Sequence, residues 1–376
     1  MSVIVQKYGG SSVTDLEGIR AVARRVVQTV HEGHQVCVVV SAMGNTTNEL
    51  LRLASSLTET PGRRELDMLI SVGERISMAL LSMAISDLGC PAMSLTGSQS
   101  GIITDTNHSA ARIVAVRPHR VREGLDRGRV VIVAGFQGVS VDKEVTTLGR
   151  GGTDLTAVAL AAALGADFCE ICSDVDGIWT ADPRAVPQAL KLDTMTLDEA
   201  LALARAGGRV LQADAVAYAH RHGIALQASP TDGSGAGTRI QVEALQPRWA
   251  SISIDDQLER FTGEVGELLV ALLAAGAPVC RIDEGAVICD LRNWHDRAAF
   301  QPLGEPIALV TATGSEARLD AAEAHQAVIQ LDRDHPVQRW SASPGVLCLQ
   351  VPRESAAEIA EQLHRKLLVA TPKKST

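Results

Sequence analysis

Segments with the pattern of β-strands alternate with segments with the pattern of α-helices through the first 240 residues, and this alternation constrains the fold most strongly. The strand patterns are Val3–Gln6, Val36–Val40, Ala92–Leu95, Val130–Gly135, Phe168–Cys172 and Ala225–Ala228. The helix patterns are Asp15–His31, Thr47–Thr58, Glu65–Leu88, Ala110–Gly128, Asp154–Leu164, Leu197–Ala206 and Ala213–His222. Such alternation predicts an α/β domain over residues 1–240, with a mainly parallel sheet sandwiched by helices. Ligands of such sheets bind at the carboxyl ends of the strands, where the glycine-rich segments of this chain fall.

One glycine-rich loop, Thr146–Asp154, comes just before an apolar helix. Its glycines allow backbone N–H groups to approach an anion, and the helix N-terminus adds partial positive charge. Arg150 offers a planar guanidinium that matches a carboxylate or a phosphate, and Asp154 suits an ammonium or a metal-bound group. The loop is therefore predicted to bind a ligand that carries charges of both signs. The competing interpretation is a plain connection from strand to helix.

A second glycine-rich turn follows the first strand, where Lys7 precedes Gly9, Gly10 and Ser11. A lysine at the strand end and the backbone donors after it suit phosphate oxygens. The turn is not a P-loop, because the lysine comes before the glycines. Taken alone, the turn is better explained as a connection from strand to helix with a solvated lysine.

Six blocks in the same order resemble the aspartokinases of the amino acid kinase family, over at least residues 1 to about 240. The blocks are Gln6–Ser12, Val40–Glu49, Gly73–Ser77, Ala134–Gly138, the loop around Arg150, and Ser173–Arg184. The resemblance implies the amino acid kinase fold and the ATP-dependent phosphorylation of L-aspartate to 4-phospho-L-aspartate, the first step toward lysine, threonine and methionine. Mg²⁺ is implied by phosphoryl transfer, and no residue of the chain is predicted as a metal ligand.

The resemblance also implies roles for particular residues. Lys7 and Asp154 are the implied catalytic residues, with Lys7 on the transferring phosphoryl group. Arg150 would pair with the α-carboxylate of aspartate, and Glu74 and Asp154 with its ammonium. The implied aspartate-binding set is Thr47, Glu74, Arg150, Gly151, Gly152 and Asp154. The implied ATP-binding set is Lys7, Gly9, Gly10, Ser11, Ser41, Ser173, Asp174, Trp179, Asp182, Arg184 and Arg209.

The chain departs from the family pattern at Arg209, where the resembling proteins commonly carry a lysine that helps to hold the phosphates of ATP. Arginine keeps the positive charge, but its guanidinium is planar and donates in fixed directions, whereas the ammonium of lysine is a compact charge. Two other interpretations stay open. One is a sister kinase with another small acid as substrate. The other, supported by Arg209 and the altered segment 212–230, is a catalytically silent paralogue that acts as a binding or regulatory subunit.

Composition limits the partners of the chain. A net charge of −9 and an aromatic content of 3% argue against a nucleic-acid partner. No apolar run approaches the roughly 18 residues of a membrane span, so no membrane partner is expected. Seven scattered cysteines indicate reduced thiols and a cytoplasmic location. Cys169 and Cys172 form a lone C-x-x-C within a strand pattern, which predicts buried thiols on opposite faces.

A break begins with the loop Pro230–Thr238 and is closed by Gln246–Pro247, and residues 246–376 then change to short strands with two amphipathic helices. The predicted strands are Trp249–Ile254, Val279–Ile282, Ala286–Leu291, Ile307–Thr311 and Val346–Val351, and the predicted helices are Gly266–Gly276 and Ser355–Leu367. This region resembles a shortened and divergent tandem ACT-like regulatory region of α+β type. Feedback-controlled relatives carry a Lys-Pro-Gly-type turn before each ACT helix. Glu264 stands in the first such turn here, and the second is expected to be lost near Ala312–Ala317. Weak or absent feedback inhibition and a homodimer formed through this region are therefore expected.

Overall fold

In a computed structural model of the protein, residues 2–242, 248–275, 277, 279–291, 304–314, 326–329, 331 and 337–369 are described. The chain divides into two compact units. The first comprises Met1–Ile178, Leu192–Leu201 and Arg209–Leu245, and the second comprises Trp179–Lys191, Ala202–Gly208 and Gln246–Thr376. The predicted boundary at residues 240–246 thus falls near Leu245, but two upstream stretches join the second unit. The expected break at Gln246–Pro247 lies outside the described residues.

The first unit contains two sheets. Up to residue 242 the strands are β1 (Val3–Tyr8), β2 (Gln35–Val40), β3 (Ala92–Leu95), β4 (Ile102–Thr104), β5 (Ile113–Val116), β6 (Val130–Ala134), β7 (Gln137–Ser140), β8 (Val145–Thr147), β9 (Phe168–Ser173), β10 (Thr194–Thr196), β11 (Leu226–Pro230) and β12 (Thr238–Gln241). The main sheet has the order β10-β12-β11-β9-β1-β2-β6-β3, and β5-β4-β7-β8 form a smaller one. Only the pair β11–β12 of the main sheet is antiparallel. The predicted mainly parallel sheet is confirmed.

Helices connect these strands. They are α1 (Leu16–His31), α2 (Thr46–Leu57), α3 (Arg63–Ile70), α4 (Val72–Asp87), α5 (Gly97–Ser100), α6 (His119–Asp126), α7 (Gly152–Leu164), α8 (Leu197–Arg205) and α9 (Ala213–His222). Asp15 caps α1 by accepting from the Gly18 N–H at 2.9 Å, and Ile19, Val22 and Val26 of its apolar face are buried. The strands β2 and β6 are apolar along almost their whole length because both faces of the sheet are covered.

Two predicted helices differ from the structure. The segment Ala110–Gly128 is not one helix, because β5 occupies its first half and α6 begins only at His119. Pro118 stands directly before α6, and a proline disfavours helical backbone in the residue that precedes it. The segment Glu65–Leu88 divides at Ser71 into α3 and α4. The smaller sheet was not predicted, since its strands have only three or four residues.

The stretch Arg63–Asp87, which holds α3 and α4, is long and apolar enough to qualify as a membrane span, and 44% of its most apolar window is buried. The sequence has no uninterrupted apolar run of this length, because charged residues such as Asp67, Glu74 and Arg75 fall within the stretch. The stretch nevertheless contains two buried acidic residues, Asp67 and Glu74, which accept hydrogen bonds from backbone N–H groups of Ser109 and Ala42. These contacts are typical of core helices.

Both cysteines of the C-x-x-C segment lie in β9 and are fully buried, as predicted. Burial raises the pKa of each thiol well above its ordinary value. They are therefore core residues.

The second unit contains a six-stranded antiparallel sheet with the order β14-β15-β13-β16-β18-β17. Its strands are β13 (Trp249–Thr262), β14 (Val279–Asp283), β15 (Ala286–Asp290), β16 (Glu305–Gly314), β17 (Arg339–Ser343) and β18 (Val346–Pro352). The helices with both ends among the described residues are α10 (Val265–Ala274) and α11 (Ala356–His364). Helix α11 continues as a π-helical turn to Val369. An antiparallel sheet with helices is consistent with the predicted ACT-like region. The strand β17 was not predicted. Gly276, the predicted end of the first helix, and residues 315–317 of the second effector turn lie outside the described residues.

The segment Trp179–Lys191 belongs to this second unit through backbone and apolar contacts. Trp179 forms a β-bridge with Lys191, and the Ile252 N–H donates to the Thr180 carbonyl at 2.7 Å. Ala181, Val186 and Ala189 are buried in the same apolar cluster as Ile252. A boundary drawn only along the sequence cannot separate such a segment from its neighbours.

Candidate active site

A cavity of about 320 Å³ opens at the carboxyl ends of β1, β2 and β6 in the first unit. Its lining residues are Lys7, Gly10, Ser41, Ala42, Gly44, Thr47, Glu74, Phe136, Gly149, Arg150, Gly151, Gly152, Thr153, Asp154 and Gln212. The structure thus brings nine of the predicted site residues along one cavity: Lys7, Gly10, Ser41, Thr47, Glu74, Arg150, Gly151, Gly152 and Asp154. A volume of this size suits a small metabolite.

Lys7 and Asp154 form an ion pair in the cavity wall. Lys7 Nζ lies 2.7 Å from Asp154 Oδ1, and the two side chains are only 13% and 9% exposed. Lys7 belongs to β1, next to β9 and β2, and Asp154 is the third residue of α7. A carboxylate in the first turn of a helix is stabilised by the helix dipole. The pair therefore holds an ammonium group at a defined point of the cavity wall.

Glu74, in the first turn of α4, places a buried carboxylate against the cavity. Its Oε1 atom accepts from the Ala42 N–H at 3.1 Å, whereas Oε2 has no hydrogen-bond partner among the described residues. Burial raises the pKa of the Glu74 carboxyl to about 7. Gly73 permits this approach, because a Cβ there would lie 2.7 Å from the Ala42 Cβ. An unpartnered buried acceptor of this kind suits a cationic ligand group.

The loop around Arg150 has the backbone geometry that its glycines predict. Gly149 and Gly151 have φ values of +75° and +72°, in the left-handed region that favours glycine. Gly151 is the N-cap residue of α7, and the first-turn residues Gly152, Thr153 and Asp154 line the cavity. The Gly152 N–H donates to the Gly149 carbonyl at 3.0 Å. Arg150 is exposed at the cavity rim. Backbone donors, a helix N-terminus and a guanidinium therefore surround one anion-sized region.

The turn after β1 approaches the turn after β2. A Cβ on Gly10 would lie 3.0 Å from the Ala42 carbonyl oxygen. Ser41 donates from Oγ to Thr153 Oγ1 at 3.0 Å, which links this turn to α7. Gly9 and Ser11 flank Gly10 on the same turn and are not among the lining residues.

The other predicted ATP-binding residues lie elsewhere. Ser173 ends β9, Asp174 follows it, and Arg209 also belongs to the first unit, but none of the three lines the cavity. Trp179, Asp182 and Arg184 belong to the second unit. The Asp182 carboxylate there pairs with the Arg184 guanidinium at 2.8 Å and accepts from its backbone N–H at 2.9 Å. The roles of these six residues stay predictions.

Phe136, Thr153 and Gln212 line the cavity and were not predicted from the sequence. Phe136 has a φ of +66°, which is rare for a residue other than glycine, and its N–H donates to Thr156 Oγ1 at 3.2 Å. Phe136 lies within Ala134–Gly138, one of the six blocks that carry the family resemblance, so the sequence did contain a signal for this position. Gln212 could be identified only from the tertiary structure, in which a Cβ on Gly151 would lie 2.7 Å from the Gln212 side chain.

The amino acid kinase family profile matches residues 2–227. Among curated proteins, the aspartokinase of Mycobacterium tuberculosis is 57% identical over 241 residues, which cover 64% of this chain and 57% of that protein. This chain therefore spans little more than half the length of that relative. The aspartokinase of Geobacillus stearothermophilus is 47% identical over 336 residues, which cover 86% of this chain and 81% of that protein.

Among solved structures, Escherichia coli aspartokinase III in complex with lysine and aspartate has a TM-score of 0.79 at 22% identity. The alignment covers 97% of this chain and 99% of the bacterial enzyme. At this level of identity the likeness concerns the fold, and it extends through both units. The profile match over more than half of the residues and the Geobacillus relative agree: the chain belongs to the amino acid kinase family.

Proposed function

We propose that the protein is an aspartate kinase, which transfers the γ-phosphoryl group of ATP to the side-chain carboxylate of L-aspartate to form 4-phospho-L-aspartate. The observation that carries this proposal is the combination, in one cavity, of the Lys7–Asp154 pair, the exposed Arg150 and the unpartnered carboxylate oxygen of Glu74. An α-amino dicarboxylate offers the complementary charges. Relatives named aspartokinase support the same substrate.

Each charged residue has a separate task in this proposal. Arg150 and the N–H groups of the first turn of α7 bind the α-carboxylate, and Glu74 Oε2 accepts from the ammonium. Lys7 lies opposite the transferring phosphoryl group and stabilises the negative charge that develops on its oxygens. Asp154 orients Lys7 through the ion pair of 2.7 Å. Because the acceptor carboxylate is already a nucleophile, the protein must position and neutralise the reactants, and no covalent nucleophile of the chain is needed.

Mg²⁺ fits this cavity only as an ion that arrives with the nucleotide. No group of three or more His, Cys, Asp or Glu residues that could hold a metal ion occurs in the described part of the chain. Mg²⁺ at phosphoryl-transfer sites is held mainly by phosphates and water, with one or two carboxylates. Such an ion supplies positive charge to the phosphate oxygens, and Asp154 is the nearest acid of the cavity to Lys7 that could contact its hydration shell.

We propose that ATP is further held by Gly9, Gly10, Ser11 and Ser41 around the turn after β1, and by Ser173, Asp174 and Arg209. The roles of Trp179, Asp182 and Arg184 toward ATP stay predictions. Single alanine variants of these three residues, compared by the KM for ATP, test them directly.

Arg209→Lys is expected to retain at least the wild-type affinity for ATP. The reason is chemical: relatives place a lysine at this position, and an ammonium is a compact charge that can adjust to phosphate oxygens. The KM for ATP of the two proteins measures the effect, with Arg205→Lys on the last turn of α8 as the matched control. Loss of ATP binding in Arg209→Lys alone would mean that the pocket depends on the guanidinium.

Lysine and threonine are expected to inhibit the enzyme weakly or not at all. Glu264 is the N-cap residue of α10, and its Oε2 atom accepts from the Glu267 N–H at 2.8 Å. The chain's own carboxylate therefore occupies a helix N-terminus that an effector carboxylate would need, and a like charge opposes such an effector. Activity at millimolar lysine, threonine and both together measures this. Strong inhibition by either amino acid would show that a working effector site survives.

We propose that two copies pair through the ACT-like unit. On α10, Val270 and Leu273 are 70% and 58% exposed, whereas Leu272 packs inside the unit. Exposed apolar side chains on one helix favour coverage by a partner. Light scattering of the wild type and of the variant Val270→Glu/Leu273→Glu distinguishes a dimer from a monomer. A cytoplasmic location stays a prediction.

One experiment distinguishes the proposed function from the two alternatives, a sister amino acid kinase and a catalytically silent paralogue. A coupled assay of ADP release with L-aspartate, L-glutamate and N-acetylglutamate compares the acceptors at equal concentration. Activity with aspartate alone supports the proposal, and preference for another acid indicates a sister amino acid kinase. ATP binding without ADP release would indicate a catalytically silent paralogue. The intact Lys7–Asp154 pair favours an active kinase over a silent paralogue, and the presence of Arg150 and Glu74 favours aspartate over another acid.

A further inference from the structure

A buried polar cluster lies behind the Arg150 loop and outside the cavity lining. It consists of Asp67 on α3, the turn residues His108 and Ser109, and Thr147 at the end of β8. Asp67 and Thr147 are fully buried. None of the four residues is among those that line the cavity.

The Asp67 carboxylate makes contacts to two separate segments. Its Oδ1 atom accepts from Thr147 Oγ1 at 2.6 Å, and its Oδ2 atom lies 2.7 Å from His108 Nδ1. The Ser109 N–H donates to both carboxylate oxygens at 3.1 Å. A fully buried carboxylate is costly unless its oxygens are hydrogen-bonded, and here both are.

The two segments that Asp67 contacts adjoin the Arg150 loop: one leads into it, and the other packs against it. Thr147 is two residues before Gly149, and the Thr147 carbonyl accepts from the Ala111 N–H at 2.9 Å. A Cβ on Gly149 would lie 3.4 Å from the Ser109 carbonyl oxygen, so the turn packs directly against the loop. Ser109 itself has a φ of +69°, a conformation that costs energy in a residue other than glycine and that needs support from its surroundings.

We propose that Asp67 is a positioning residue: it ties the turn at His108–Ser109 to Thr147 and thereby holds the Arg150 loop in the geometry that binds the substrate carboxylate. This inference rests on the proposed function, since it assigns the loop to the acidic acceptor. Its effect should therefore concern the acceptor and not ATP. A displacement of a binding group by about 1 Å can change rates by up to a hundredfold, so loosening of the loop is expected to be visible in kinetics.

The test uses hydroxyl deletions on one strand. Thr147→Val removes the bond to Asp67 at nearly constant volume, and Thr147→Ser keeps the hydroxyl. Thr146→Val is the matched control, because Thr146 is equally buried and its hydroxyl bonds Thr104 instead, at 2.6 Å. Asp67→Asn neutralises the carboxylate at the other end of the same bond.

We expect Thr147→Val and Asp67→Asn to raise the KM for aspartate about tenfold, with the KM for ATP within about twofold of wild type. Thr147→Ser and Thr146→Val should resemble the wild type. Equal KM values for aspartate in Thr147→Val and Thr146→Val, or a parallel rise in the KM for ATP, would overturn the proposal.

Hydrogen exchange of the backbone amides of residues 148–155 gives a second readout that needs no activity. Faster exchange in Asp67→Asn than in the wild type, with unchanged exchange in the strands β1 and β2, supports the positioning role even if aspartate is not the acceptor. Unchanged exchange in residues 148–155 would contradict it. A wild type that phosphorylates no aspartate would overturn the proposed function alone.

Discussion

Replacing Lys7 or Asp154 by alanine is expected to lower kcat/KM for aspartate phosphorylation by about two to three orders of magnitude, because each change removes one charge that acts on the transition state. The two side chains form an ion pair of 2.7 Å, so the losses should not be additive. Initial rates of ADP release for the two single variants and the double variant measure both effects. Each residue lies at a loop or helix end, so the circular dichroism spectrum should stay that of the wild type.

A matched control separates chemistry from the loss of a buried ion pair. Glu170 pairs with Arg25 at 3.2 Å and is 3% exposed, but it does not line the cavity. Glu170→Gln should therefore affect stability more than activity. Activity within threefold of wild type in Lys7→Ala or Asp154→Ala would refute the roles assigned to that pair.

Glu74→Gln is expected to weaken aspartate binding roughly a hundredfold and to stabilise the ligand-free protein at alkaline pH. The first effect follows from the loss of a charge-assisted hydrogen bond to the substrate ammonium, worth about 2–3 kcal/mol. The second follows from the raised pKa. Titration calorimetry with aspartate measures the first, with Glu49→Gln on the exposed face of α2 as the control.

The sign of the pH dependence is fixed by the direction of the shift. Burial raises the pKa of the Glu74 carboxyl from 4.5 to about 7, so the folded protein holds this proton more tightly than the unfolded chain does. The corresponding stability is fully present below about pH 4.5 and is lost as the pH rises through 7. Glutamine cannot lose a proton, so the variant should exceed the wild type by about 2–4 kcal/mol at pH 8 and match it at pH 4.5. Equal unfolding free energies at pH 8 would show that Glu74 is not desolvated.

The elements that could be predicted from the sequence are those with a local apolar pattern, either a continuous apolar run or an amphipathic period. The strand β3 and the helix α9 have the predicted bounds, and β1, β2 and β6 differ from prediction by at most two residues at either end. Strands covered on both faces are continuously apolar, and this pattern is local in sequence. The strands β4, β5, β7 and β8 have only three or four residues, and all but β5 contain Thr, Ser or Gln, so their pairing depends on neighbours far along the chain.

The candidate site likewise contains residues that could be predicted from the sequence and residues that could not. Lys7, Glu74, Arg150 and Asp154 could be proposed because they stand in glycine-rich or matching segments, and the cavity contains all four. The cluster around Asp67 could not, because an acidic residue within a helix pattern is most often solvated. Only the tertiary structure places Thr147 and Ser109, which lie 80 and 42 residues away in sequence, against that carboxylate.

Direct detection of the product tests the central claim. An acyl phosphate reacts with hydroxylamine to give a hydroxamate, whereas simple hydrolysis of ATP does not. Incubation of the protein with ATP, Mg²⁺, L-aspartate and hydroxylamine is expected to give aspartate hydroxamate in an amount equal to the ADP released. The hydroxamate should form only when ATP, L-aspartate and hydroxylamine are all present, and it should be lost in Lys7→Ala. ADP release without hydroxamate, or more hydroxamate with L-glutamate than with L-aspartate, would contradict the assignment as an aspartate kinase.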